Sequence, residues 1–148
     1  MTEKPIIGWR EIVAFPEWAI DGIVAKIDTG ARTSALHVEN IEKLSANRIR
    51  FSVVTRRQDS SGHVPVHAEL VRTTSIRSST GHRQERYVVA TRVRIGPVTK
   101  RVEMSLVRRD HMLCRMLLGR TALEGFLVDV NHRHLYGSPA RRRKKKRA

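Results

Sequence analysis

Cysteine, aromatic side chains, acidic residues and long apolar runs are all scarce in this sequence of 148 residues. Each shortage removes a class of protein. The single cysteine, Cys114, has no partner for an internal disulfide. Its neighbours Met112, Leu113, Met116 and Leu117 are apolar, so a buried thiol in a reducing compartment is expected. No stretch of eighteen apolar residues is present, which excludes a helical membrane span. The opening segment, Met1 to Val13, carries charges at Glu3, Lys4, Arg10 and Glu11 and lacks the apolar run of a secretory leader. Together these readings predict a cytoplasmic protein with no membrane contact.

Ligand sets for common hydrolytic cofactors are missing as well. There is no Gly-x-x-x-x-Gly-Lys phosphate loop and no His-Glu-x-x-His helix. His63 and His67 flank Val64-Pro65-Val66, which disfavours a helix. On a strand, residues four apart stand about 13 Å from each other, too far to share one ion. His132 and His134 could lie on one strand face, yet no third ligand is evident. No metal and no other cofactor is expected.

What the sequence has in excess is positive charge. Lys and Arg number 29 against 14 Asp and Glu, a formal net charge of +15. Seven of these cations form the run Arg141 to Arg147, and the body stays basic without them. A run of like charges repels itself and cannot pack, so residues 140–148 are predicted to be a disordered tail after a single domain, 1–139. The tail either serves solubility alone or tethers the protein to RNA, ribosomes or another polyanion, with an affinity that falls with salt. A chain of this length buries roughly two-thirds of its unfolded surface, enough for one core.

Short β-branched runs punctuated by turn residues dominate the rest. Glu11 to Phe15 ends at Pro16, and Ile23 to Ile27 ends at Asp28-Thr29-Gly30. Arg48 to Thr55 alternates and stops before the turn-rich Asp59-Ser60-Ser61-Gly62. Tyr87 to Ile95 and Val98 to Val107 flank Gly96-Pro97 and read as a hairpin. Met116-Leu117-Leu118 runs into Gly119, and Phe126 to Val130 makes a last strand. Only Arg120 to Gly125 has the character of a short helix. The expected fold is all-β, a barrel or sandwich.

Chemistry concentrates where the strand Ile23 to Ile27 meets Asp28-Thr29-Gly30-Ala31. A catalytic carboxylate needs a loop held rigidly by strands. Gly30 allows close backbone approach, and the Thr29 hydroxyl can bond across the loop. Alone, the tripeptide is also an ordinary strand-end turn. A second motif, Leu117-Leu118-Gly119-Arg120 followed by a short helix, lies downstream. The two motifs, in this order and strand context, resemble the retropepsin-like aspartic peptidases. Asp28 to His37, with Ser78-Ser79-Thr80-Gly81 and Leu117 to Arg120, is similar to one group of them. That group is historically labelled ATP-dependent zinc proteases and associated with RimK-type glutamate ligases. The similarity runs from about Ile6 to Tyr136.

This resemblance implies a closed acid-protease barrel with one short helix near the C-terminus, active as a homodimer. In some members it also implies an activity that trims glutamates added to a ribosomal protein. Asp28 would be the catalytic residue, with Thr29, Gly30, Ala31 and Gly119 supporting its loop. Two carboxylates a few ångströms apart share one proton, so one activates water while the other holds the proton. Only one Asp-Thr-Gly is present, so the second carboxylate is expected from another copy across a twofold axis. Alanine at position 31 removes a hydroxyl that some relatives place beside the carboxylate, which predicts activity toward neutral rather than strongly acidic pH.

Substrate binding is assigned to Arg32, Arg120, Ser79 and Gly81. Two arginines beside one cleft favour an acidic peptide, although Arg32 could instead pair with Glu39 or Glu124. The segment Ser75 to Arg86 is the expected flap, with Gly81 at its tip. Trp9 and Trp18 are read as packing or interface residues. The alternative to an enzyme is a non-catalytic module of the same fold that binds RNA or ribosomes through its basic surface.

Overall fold

Alternation of side chains between core and solvent turns the short β-branched runs into strands. In Arg48–Val54, Ile49, Phe51 and Val53 are buried while Arg48 and Arg50 face water. The computed structural model describes residues 3–55, 62–77, 80–108 and 114–136. Ser79, the basic tail and most of the Asp59 to Gly62 turn lie outside the described residues.

Among the described residues ten strands form, in chain order β1 (Ile6–Gly8), β2 (Arg10–Phe15), β3 (Ile20–Ile27), β4 (Ser34–Ser45) and β5 (Arg48–Val54). They continue with β6 (His63–Arg77), β7 (Arg83–Ile95), β8 (Val98–Val107), β9 (Met116–Leu118) and β10 (Leu127–Asp129). One α-helix, α1 (Arg120–Leu123), follows β9, and Pro16–Trp18 makes a single 3-10 turn that the sequence pattern does not signal. Eight strands join in the order β2-β3-β9-β4-β5-β6-β7-β8, and further β2–β7 and β4–β8 pairings close the sheet on itself. The protein is therefore an all-β closed barrel with a short helix near the C-terminal end. Ile23, Leu36, Phe51, Val89, Ile95 and Met116 fill its interior. Trp18 packs over Phe15 and Phe51 with ring centroids 5.2 and 5.6 Å away.

Two departures from the local pattern matter. Residues 34–45 and 63–77 form long strands; the first does not alternate cleanly, and the second alternates only from Pro65 to Leu70. The polar half of β4, from Glu39 onward, is held by antiparallel pairing to β5 across the two-residue turn Ala46-Asn47, and this hairpin pairing overrides local preference. The expected flap segment is mostly strand: β6 and β7 pair from Leu70↔Val89 out to Arg77↔Arg83. Since β8 reaches only Val88, residues 83–87 pair with β6 alone and form a projecting two-stranded arm. His132 and His134 share no strand face; both follow β10 in a loop, and His134 has a left-handed backbone.

The beginning and end of the described chain meet beside the barrel. β1 pairs in parallel with β10, from Ile6↔Leu127 to Gly8↔Asp129. Glu11 fastens this corner: its buried carboxylate accepts the N–H groups of Gly8 (2.7 Å), Leu135 (3.0 Å) and Tyr136 (3.3 Å). The β7–β8 turn places Gly96 at φ 56°, a conformation glycine adopts without strain.

Candidate active site

Asp28 sits where the barrel threads one strand between two others. β9 lies between β3, which it pairs in parallel (Ile27↔Leu118), and β4, which it pairs antiparallel (Ala35↔Leu117). The loop 28–33 connects β3 to β4 and must therefore cross the end of β9. At the crossing stands Gly119. A Cβ built there would come within 2.4 Å of the Thr33 carbonyl oxygen, so only glycine fits beneath the loop.

The crossing is tied by hydrogen bonds from both sides. The Asp28 N–H donates to the Leu118 carbonyl at 2.9 Å, and the Arg120 N–H donates to the Ala31 carbonyl at 2.7 Å. Thr121 donates to the Arg32 carbonyl with both its N–H and its hydroxyl, each at 3.1 Å. Beneath them the Gly119 N–H donates to Ser34 Oγ at 3.1 Å, and Ser34 is buried. Ser34 carries no separate signal in the sequence. A serine opening an apolar run is its only mark.

The carboxylate itself is half-buried and held locally. The Gly30 N–H donates to Asp28 Oδ1 at 2.9 Å, and the Ala31 N–H donates to the Asp28 carbonyl at 3.2 Å. A carboxylate pinned on one oxygen keeps the other open to solvent and to a reacting partner. Thr29 and Gly30 are exposed, and among the described residues the Thr29 hydroxyl has no hydrogen-bond partner. Loop rigidity comes instead from Ser34, the main chain of α1 and Arg120. The Arg120 guanidinium reaches the carbonyl oxygens of Thr29 and Gly30, both at 3.2 Å.

Arg32 is exposed next to this loop, and among the described residues no carboxylate pairs with it. Glu39 lies instead 3.9 Å from His63. Gly81 is exposed at the turn of the β6–β7 arm with φ 84°. The structure thus brings Asp28, Thr29, Gly30, Ala31, Gly119 and Arg120 into one cluster. Gly81 belongs to a separate element, the arm.

Comparison with known proteins gives the fold that holds this crossing a family. Residues 6–138 match the family described as RimB-like, retropepsin-like aspartic endopeptidase RimB. The chain belongs to the RimB-like, retropepsin-like family. A crystal structure of a protein of unknown function from Legionella pneumophila superposes with a TM-score of 0.76 at 25% identity, covering 90% of this chain and 98% of that one. A probable alpha-L-glutamate ligase of Parasynechococcus marenigrum is 34% identical over 141 residues, which is 93% of this chain. One from Shewanella pealeana is 34% identical over 138 residues, 90% of this chain. The chain spans about 30% of the length of these curated relatives.

Among the described residues of this RimB-like chain, the histidines are not placed to share the zinc of the historical label. His63 and His67 lie four apart on β6, while His132 bonds Asp129 Oδ2 at 2.7 Å in a different loop. Among the described residues no three potential ligands gather. That His132 contact, after the Asn131 N–H, holds the Asp129 carboxyl below its ordinary value. It is an exposed loop fastening.

Proposed function

We propose that this protein is an aspartic peptidase in which two copies each contribute one Asp28, and that it cleaves acidic peptides, among them glutamate extensions on a ribosomal protein. The observation that carries the proposal is the pinned Asp28 carboxylate at a loop crossing, together with the single Asp-Thr-Gly in the sequence. A lone carboxylate has no neighbour with which to share its proton, whereas two at an axis place one ionised base beside one protonated acid. The base takes a proton from water as it attacks the scissile carbonyl, and the acid donates to the leaving amine.

The surface beside the site supports a second copy as the partner. β1 and β10 form an isolated two-stranded sheet whose outer edges pair with nothing among the described residues. Around it Ile6, Trp9, Leu127 and Val130 are exposed, Val130 by 74%. Apolar side chains beside open strand edges are a surface that association covers. The substrate class rests on Arg32 beside the loop and on the glutamate chemistry named for the relatives. With alanine at 31, the pH–rate optimum is expected above about 4.

Asp28→Asn tests the reading, since it keeps the shape and removes the acid–base group. Wild type should cleave an oligoglutamate-bearing protein and the variant should not. Because each site needs both copies, mixing the variant into exchanging wild-type dimers should lower activity as the square of the wild-type fraction. Equal cleavage by wild type and variant would end the proposal, and cleavage by neither would favour the polyanion-binding module.

A further inference from the structure

One cation reaches the loop that carries Asp28. Arg120 Nη1 stands 3.2 Å from the carbonyl oxygen of Thr29 and 3.2 Å from that of Gly30. A trans peptide is planar, with its C=O and N–H directed to opposite sides. The Thr29 carbonyl and the Gly30 N–H belong to one such unit, so a donor that fixes the carbonyl on one side fixes the N–H on the other. That N–H is the group that donates to Asp28 Oδ1 at 2.9 Å.

We propose that Arg120 is a positioning residue: by gripping the Thr29–Gly30 peptide it aims the Gly30 N–H at the Asp28 carboxylate and fixes its orientation. The functional weight of this role rests on Asp28 being the reacting group. Charge-assisted donors hold carbonyls more firmly than neutral ones, and Arg120 is itself well founded. Its backbone N–H is anchored on the Ala31 carbonyl at 2.7 Å, and Thr121 is anchored on Arg32. The root of the side chain therefore stays put when only its head is changed. In this arrangement the guanidinium faces the loop that carries the carboxylate, and the substrate contact expected for it from the sequence is left to other residues.

Amide hydrogen exchange on the full chain, wild type against Arg120→Gln, reads the peptide directly. The Gly30 amide should exchange on the order of tenfold faster in the variant, the scale of one lost hydrogen bond. The Val89 and Val93 amides in β7 should keep their rates. Removing a positive charge by itself slows base-catalysed exchange, so a faster Gly30 amide cannot come from the lost charge. An unchanged Gly30 rate, or one that rises only in step with Val89 and Val93, would overturn the proposal. Should the Gln variant lose its fold, Arg120→Lys is read by the same criteria.

Kinetics supply the second arm. On an acidic peptide, kcat should fall about tenfold with KM changed less than about twofold. A raised KM at unchanged kcat would place the guanidinium on the substrate and overturn the assignment. Were wild type to cleave nothing, the peptidase reading would fail, while the exchange rates would still decide whether Arg120 holds the loop.

Discussion

Replacing Gly119 by alanine isolates the loop crossing from every other feature of the site. The backbone there has φ −94° and ψ 179°, extended geometry open to any residue, so the glycine is needed for space alone. An added Cβ would stand 2.4 Å from the oxygen, 2.7 Å from the carbonyl carbon and 2.8 Å from the nitrogen of Thr33. Carbon atoms in good contact sit about 3.5–4.0 Å apart, so the loop must rise by on the order of an ångström. These are main-chain atoms with no rotamer to swing away. Overpacking costs about 1–3 kcal/mol. Separation of the Gly119 N–H from Ser34 Oγ adds about 1 kcal/mol.

A total of about 2–4 kcal/mol is a large share of the roughly 5–15 kcal/mol that stabilises a typical domain. For a chain of this size each kcal/mol lowers Tm by about 2–4 °C, so a fall of roughly 5–15 °C is expected. Gly125→Ala is the comparison. It has φ 90° and open space around its Cβ, so it bears backbone strain and no collision. Thermal melts and urea midpoints measure both. If Gly119→Ala melts within a degree or two of wild type, the loop does not lie against Gly119 as described, and the reasoning about the site frame fails.

Glu11→Ala strips three main-chain amides of their acceptor and should cost about 2–4 kcal/mol, read from the urea midpoint, with Glu11→Gln costing less. A loss under about 0.5 kcal/mol would mean that the corner is not fastened there. Arg32→Glu should erase any preference for acidic over neutral peptides, and an unchanged ratio of kcat/KM would remove Arg32 from recognition. His134 gives a pH signature. Burial first and then Arg10 hold its ring below the ordinary 6.5, with Glu11 opposing. Between that lowered value and 6.5 the unfolded chain binds more protons than the folded one, so stability rises with pH across this window and is lost as pH falls below 6.5. His134→Asn, whose side chain tolerates φ 53°, should flatten this slope, and an unaltered slope would refute the assignment.

Strand residues with regular alternation were legible without coordinates, because burial on one face writes a period of two into the sequence. Arg48 to Val54 and the Gly96-Pro97 hairpin are of this kind. β4 and β6 were not, since their polar stretches, Glu39 to Ser45 and Arg72 to Ser75, do not alternate cleanly and are strands through pairing to β5 and β7. Among site residues, Asp28, Gly30 and Gly119 announced themselves through side-chain chemistry or its absence. Ser34 and the inward reach of Arg120 did not, because nothing in a sequence tells a serine or an arginine which main-chain group it will meet.

The sequence by itself determined the fold class, the strand that ends in Asp28 and the glycine on which the crossing depends. These follow from local periodicity and from steric demands that one residue type alone meets. Only the tertiary structure decided that β9 passes between β3 and β4, that Arg120 turns to the loop carbonyls and that Glu11 fastens the C-terminal corner. Each joins groups distant in the chain, and such contacts are set by which surfaces the closing barrel brings together.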